Sequence, residues 1–402
     1  MIEKTSKVIV MAKTASLKLT KRPVWRCTDA GSAPALPPGA RIIPNHSSRA
    51  SLHRILRSDA EHAQPRRHTG TLRAQGSFRN TGPSDGMYPV LCRGMIRTVL
   101  AIAVIEGWCE SSLRSGVVKT LFERGNLSQV RGVVLADGRE VVIKVRPWQD
   151  RLWGCVAVQQ HLADAGYPCP APLGKLDQVD GWAVNAEALV AGGDQRDPTL
   201  GAGPYAALLR RLIALAPDVD CVPGLLPPPP WSAWDHPGTA IWPERDDRGV
   251  NLNLFDGPAW VDAAAQRVRG MLGAYEAPLR VGHGDWESQN IRWTGDSPFV
   301  VHDWDSVIAQ PEAAIVGLAS AVWAAKGGPG EAASVRQSEA FIQHYEREGS
   351  GWSEQDRAAG WAAGLWVRLL NAKKDATEGG GPQLFRLRGE IDERLYRAGL
   401  KA

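Results

Sequence analysis

The chain has 402 residues, 44% of them apolar and 22% charged, which excludes a wholly disordered or fibrous protein and leaves room for more than one core. Its longest aliphatic stretch, Val99 to Ile105, falls far short of the ~20 residues a bilayer-spanning helix needs, so no membrane partner is expected. The net charge of +4 hides a division: residues 1–94 carry 16 Lys and Arg against 5 Asp and Glu, whereas 95–402 carry 31 against 38.

Residues 1–94 read as a basic extension, rich in Ser, Pro, Gly and Arg and poor in aliphatic runs. A nucleic-acid-binding arm or an organellar transit peptide shares that composition. The reading preferred is a disordered extension ahead of a start at Met87 or Met95, with no nucleic-acid partner. The six cysteines include no CxxC pair, so neither structural zinc nor a disulfide scaffold is expected, and a cytoplasmic location is the default.

Order begins near residue 95. A helix is expected over Arg97–Ser112, then a strand over Gly116–Phe122. Two β-branched runs, Val130–Leu135 and Glu140–Val145, meet at Asp137-Gly138, a dipeptide suited to a tight hairpin. Just before them, Gly125-Asn126-Leu127-Ser128 would place backbone N–H groups over a phosphate, although such loops are often plain turns. Alternation puts Val141, Ile143 and Val145 on one face of the second strand and Val142 and Lys144 on the other. A strand lysine beside a glycine-bearing hairpin suits a grip on nucleotide phosphates; a snorkelling edge lysine is the alternative.

A helix follows over Asp150–Ala165, its apolar stripe interrupted by Gln159 and Gln160 and stopped at Gly166. Strands are expected at Leu173–Asp177 and Trp182–Leu189, and Ala191-Gly192-Gly193 reads as a hinge. Beyond it the pattern is helical, at Tyr205–Ala214, Ala259–Ala274, Pro311–Lys326, Ala332–Glu346, Asp356–Asn371 and Gln383–Ala398. An irregular insertion at 222–253 carries a four-proline run, Trp231, Trp234 and Trp242, and the acids Asp235, Glu244, Asp246 and Asp247. It either docks an amine-bearing ligand through aromatic and acidic contacts or merely pins a proline-rich loop to the helices.

The segment that decides the reading is His283-Gly284-Asp285-Trp286-Glu287-Ser288-Gln289-Asn290, followed by Val300-Val301-His302-Asp303-Trp304-Asp305. Asp285 and Asn290 stand five apart, and Asp303 follows an apolar strand-like run. A carboxylate that reaches a hydroxyl, with an amide and a second carboxylate that hold Mg²⁺, is the set phosphoryl transfer requires. Asp305 is the alternative ligand to Asp303.

These motifs resemble the signature of the aminoglycoside phosphotransferase family, over roughly residues 116–325. The resemblance implies a two-lobed α+β protein-kinase-like fold. A basic extension at 1–94 would precede a small antiparallel-sheet lobe at 95–190 and a mainly helical lobe at 191–402. It implies Asp285 as catalytic base, Asn290 and Asp303 as metal ligands and Lys144 as the phosphate-binding lysine. Gly125 and Ser128 would lie over the phosphates, and adenine would sit at the hinge near Glu187 and Leu189. ATP and Mg²⁺ are the implied cofactors, and a small-molecule hydroxyl, with or without an amine beside it, the acceptor. One departure stands out: the family places a Glu on the helix after the lysine strand, and Asp150–Ala165 contains none. A catalytically silent nucleotide-binding module of the same fold is therefore the second reading.

Overall fold

The computed structural model describes residues 105–400 apart from 126–127, 223, 329, 348 and 350. The basic stretch 1–94 and the first part of the helix expected over Arg97–Ser112 lie outside the described residues. The described end of that helix widens into a π-helical turn at Cys109–Leu113, closed by Arg114 at φ 56°.

Five strands then build one antiparallel sheet: β1 (Val117–Gly125), β2 (Gln129–Leu135), β3 (Glu140–Pro147), β4 (Pro172–Val179) and β5 (Trp182–Ala188). Their order is β1-β2-β3-β5-β4. The β2–β3 turn is the one read from Asp137-Gly138. Gly138 takes φ 85° and donates its N–H to the Leu135 carbonyl at 2.9 Å. Val141, Ile143 and Val145 point into the small-lobe core with Val133, Val184 and Ala186, and Val142 and Lys144 face the opposite side. Helix α1 (Arg151–Asp164) buries Leu152, Cys155, Val158 and Leu162 and ends at Gly166, φ 76°.

The larger part is mainly helical, and its strands are short. After β6 (Asp194–Gln195) come α2 (Gly203–Leu215) and α3 (Ala259–Gly273). Strands β7 (Leu279–His283) and β10 (Val307–Pro311) pair antiparallel, with Val307 opposite His283. Between them β8 (Ile291–Thr294) and β9 (Ser297–Val301) form a hairpin, with β6 on its edge. This nesting brings the two motif loops together, since each leaves the end of a paired strand.

Helices α4 (Glu312–Val322), α5 (Val335–Arg347) and α6 (Glu354–Thr377) complete the core. Ser353 starts α6 with a reciprocal cap: its Oγ accepts the Asp356 N–H at 3.1 Å and its own N–H donates to Asp356 Oδ2 at 2.8 Å. Where α4 crosses α6, Gly317 packs on Gly360, and a Cβ there would fall inside the Gly360 carbonyl. The single helix expected over Gln383–Ala398 is instead two, α7 (Pro382–Arg388) and α8 (Ile391–Arg397), broken at Gly389-Glu390. Among the described residues no helix is long and apolar enough to cross a membrane.

Candidate active site

A cavity of about 360 Å³ opens between the sheet and the β8–β9 hairpin. Its walls are apolar at Phe122, Val130, Val142, Ala188 and Val190, and polar at Lys144, Glu187, Arg292, His302 and Asp303. Phe122 lies flat on Gly132, where any side chain would displace its ring. Four of the residues singled out in the sequence, Lys144, Glu187, Leu189 and Asp303, thus line one space. Gly125 and Ser128 do not line it. Gly125 ends β1 opposite Gln129 of β2, and Asn126 and Leu127 of the expected phosphate loop lie outside the described residues.

The reading of Glu187 as a hinge residue needs correction. Its side chain is buried and turned inward from β5. Its Oε2 lies 3.7 Å from Lys144 Nζ and accepts a 2.8 Å hydrogen bond from Gln159 Nε2. The lysine partner absent from α1 therefore comes from the neighbouring strand, and α1 contributes only the amide that braces it. Burial works against charge on Lys144, but Glu187, Asp305 and Asp303 outweigh it and hold the ammonium pKa above its usual range. Leu189 lines the cavity, yet its N–H already donates to the Glu140 carbonyl at 3.1 Å. The next amide, that of Val190, makes no hydrogen bond among the described residues. The sign of Glu187's role was present in the sequence as Gln159, a polar residue within an otherwise buried stripe.

Asp285 leaves the end of β7. Gly284 N–H donates to the Ser306 carbonyl at 2.7 Å and Asp285 N–H to His283 Nδ1 at 3.2 Å. Its Oδ2 accepts from Asn290 Nδ2 at 3.0 Å, and the same amide reaches the Asp285 carbonyl at 3.1 Å. The far ring nitrogen of His283, Nε2, sits 3.2 Å from the His302 carbonyl, which makes Nε2 the protonated nitrogen and Nδ1 the acceptor. Burial keeps both His283 and His302 below the usual histidine pKa. His302 N–H closes on the Asn290 carbonyl at 2.8 Å, so the Asp285–Asn290 loop and the Asp303 loop are stitched at both ends. Trp286, Trp293 and Trp304 are fully buried anchors beneath them.

Asp303 adopts the left-handed conformation, φ 64° and ψ 52°, and its Oδ2 accepts from Ser306 Oγ at 3.2 Å. Asp305 points elsewhere, into an ion pair with Arg146 at 2.7 Å. Among the described residues no group of three or more His, Cys, Asp or Glu could hold a metal ion by itself. The oxygens of Asp303 and Asn290 suit a hard cation that takes its other ligands from phosphate and water.

Beyond Asp285 the surface is acidic. Burial first, then Glu287 and Asp303, push the Asp285 carboxyl well above the usual carboxylate range, and Asp247 adds to the effect. Burial lifts Glu287 from 4.5 to about 7, with Asp303 and Glu331 adding to it. The insertion divides at this point. Trp234 and Trp242 are core residues; Trp242 donates to Asp262 Oδ1 at 2.8 Å and packs on Trp366. Asp246 caps a turn, accepting from Arg248 and Val250 N–H. Trp231, in contrast, brings its buried indole Nε1, which has no hydrogen-bond partner among the described residues, against Gly284, the residue before Asp285.

Comparisons with known proteins show the fold and the family. A thermostable mutant of aminoglycoside phosphotransferase APH(4)-Ia, in ternary complex with ADP and hygromycin B, is 16% identical; the match covers 73% of this chain and 98% of that one, TM-score 0.50. A second structure of that enzyme, with AMP-PNP and hygromycin B, is also 16% identical and matches over 74% and 99%, TM-score 0.50. An amicoumacin kinase in complex with AMP-PNP, Ca²⁺ and its antibiotic is 12% identical over 76% and 95%, TM-score 0.49. No curated protein matches the sequence. At 16% identity the likeness to the two APH(4)-Ia structures shows the two-lobed α+β kinase-like fold. The family model of the phosphotransferase enzyme family matches residues 120–357, more than half of the chain, and the chain belongs to that family.

Proposed function

We propose that this phosphotransferase is an ATP-dependent kinase that moves the γ-phosphate to a hydroxyl group of a small molecule. The observation that carries this reading is that Lys144 and Asp303 line one apolar-walled cavity, while the hydrogen-bonded Asp285–Asn290 pair sits on the loop stitched to the Asp303 loop. The base would lie between Val130 and Val142 above and His302 and Arg292 below, with its edge at Val190. Lys144, held by Glu187, would meet the phosphates. Asn290 and Asp303 would hold Mg²⁺, which when bound neutralises phosphate charge. Asp285 would orient the acceptor hydroxyl and take its proton as the new bond forms. In this reading the nucleotide lobe is 95–190 and the acceptor lobe 191–402.

The raised pKa of Asp285 fits a group that ionises fully once cationic charge arrives beside it. The acidic surroundings, Glu287, Asp247 and Glu331, favour an amine-bearing acceptor, which brings such charge. The silent-module reading rested on the missing helix Glu, and Glu187 removes that motive. The test is release of ADP from Mg·ATP by the purified chain against a panel of aminoglycosides, amino alcohols and sugars. Acceptor-dependent turnover that Asp285→Asn lowers by orders of magnitude is the expected outcome. ADP binding with no acceptor stimulation anywhere in the panel would favour the silent module.

A further inference from the structure

Asp305 collects the small lobe's buried cations. Arg146 stands on β3 two residues after Lys144, on the same strand face, and its Nη2 lies 2.7 Å from Asp305 Oδ1. Its Nη1 also donates to the Lys144 carbonyl at 3.3 Å and to Asn185 Oδ1. Arg151, the first residue of α1, donates from Nη1 to the Asp305 carbonyl at 2.6 Å and from Nη2 to the Val307 carbonyl. The thiol of Cys155 meets the Asp305 carbonyl at 3.6 Å. All three side chains are 5% exposed or less. Two elements of the small lobe therefore grip the same residue of the large lobe.

The geometry has a direct consequence. The turn 303–306 is short, and Asp303 sits in it at a positive φ that a non-glycine residue adopts only when its surroundings enforce it. Fixing Asp305 at both its carboxylate and its carbonyl fixes the turn. Since Arg146 and Lys144 share a strand, it also sets the distance from Lys144 to Asp303. A buried ion pair of this kind loses strongly when one partner is removed, because the other is left unpaired away from water.

We infer that Arg146 and Arg151 are positioning residues, which through Asp305 hold Asp303 in register with Lys144 so that both meet one metal–phosphate group. Asp305 is thus the anchor of the turn and not a metal ligand. The inference rests on the nucleotide-binding reading above.

The experiment measures ADP binding by calorimetry over a series of Mg²⁺ concentrations, with thermal unfolding alongside. It compares the parent chain, Arg146→Lys, Arg146→Met, Asp305→Asn and the Arg146→Met/Asp305→Asn double variant. Metal-free ADP affinity is expected to stay within twofold of the parent. The Mg²⁺ concentration that gives half of the metal-dependent gain is expected to rise about tenfold in Arg146→Met and Asp305→Asn, and less in Arg146→Lys. The double variant is expected to be no worse than either single one, as for two groups that act as a unit. If Arg146→Met does not fold, Arg146→Lys and Asp305→Asn still decide the matter. Parental Mg²⁺ demand in folded variants would overturn the inference, and so would loss of metal-free ADP affinity, which would put Arg146 on the nucleotide itself. Loss of all Mg²⁺ dependence in Asp305→Asn alone would make Asp305 a ligand. A parent chain that binds no nucleotide would instead overturn the nucleotide-binding reading, and this assignment with it.

Discussion

Lys144 and Glu187 face each other across adjacent strands, Nζ to Oε2 at 3.7 Å, with Gln159 Nε2 closing on the same carboxylate oxygen at 2.8 Å. The helix that would carry a lysine partner supplies a neutral brace, and the charge comes from the sheet. A strand-borne partner moves with β3, so the lysine stays paired however α1 is placed. That arrangement presents a fixed ammonium to the cavity without help from helix movement.

Glu187→Gln is accordingly expected to weaken nucleotide binding about tenfold or more, whereas Gln159→Ala weakens it less. Both positions are buried, and a buried lysine left without its counter-ion costs roughly 3–5 kcal/mol. Thermal unfolding and nucleotide titration of the same variants check the two effects together. Parental affinity in a folded Glu187→Gln chain would show that Lys144 needs no partner.

Asp285 and Asp303 are expected to fail differently. Asp285→Asn should retain Mg-dependent ADP binding and lose turnover, because it removes a group whose contribution comes in the transition state. Asp303→Asn should lose the metal-dependent part of binding as well. The checks are calorimetry with and without Mg²⁺ beside single-turnover rates.

Acidity at the acceptor side has a consequence for stability. Glu287 titrates at about 7, and Asp285 is raised as well, chiefly by burial. A carboxyl whose folded pKa exceeds its unfolded value adds stability that is complete below the unfolded pKa. That stability is lost as pH rises through the folded value. For Glu287 the window runs from 4.5 to about 7. The ligand-free chain should therefore lose thermal stability across that window, and Glu287→Gln should flatten the slope. An identical slope in the variant would show that Glu287 is ionised throughout.

What could be read from the sequence follows from how local the cause is. The β2–β3 hairpin was legible because Asp137-Gly138 encodes its turn and alternation assigns each β3 side chain a face. The pairing of Asp285 with Asn290 was legible because the two lie within one turn of chain. Partnerships between distant strands were not: Glu187 was read as a hinge residue because nothing nearby indicates that it faces Lys144. The same holds for Arg146 and Asp305, which meet across the lobes. The break at Gly389 was missed because the apolar spacing continues through it, and α6 runs past its expected end because its buried face extends to Lys373. Nor does composition tell which tryptophans of the insertion are buried.

The crossing of α4 and α6 offers a test of the fold itself. Gly317→Ala would drive a methyl group into the Gly360 carbonyl, a backbone obstacle that no rotamer change relieves. Overpacking of this sort costs about 1–3 kcal/mol. Chemical unfolding should report a loss at or above that range, with nucleotide affinity unchanged while the chain remains folded.

The tryptophans of the insertion are expected to separate into two classes. Trp242 is fully buried, hydrogen-bonded to Asp262 and 5.3 Å from Trp366, centroid to centroid. Truncating such a side chain costs roughly 3–5 kcal/mol, so Trp242→Ala should lower stability and every activity in parallel. Trp231 is only partly buried; its indole nitrogen is itself buried, without a hydrogen-bond partner among the described residues, and sits beside Gly284 and hence next to Asp285. The part of its ring that stays exposed can receive an ammonium group. Trp231→Ala should therefore raise the acceptor KM several-fold while leaving ADP affinity and melting temperature near those of the parent, and Trp231→Phe should recover the ring contribution alone. Equal losses for acceptor and nucleotide in Trp231→Ala would mean that this tryptophan, like Trp242, serves packing, and would move the acceptor site toward Glu287 and the C-terminal helices.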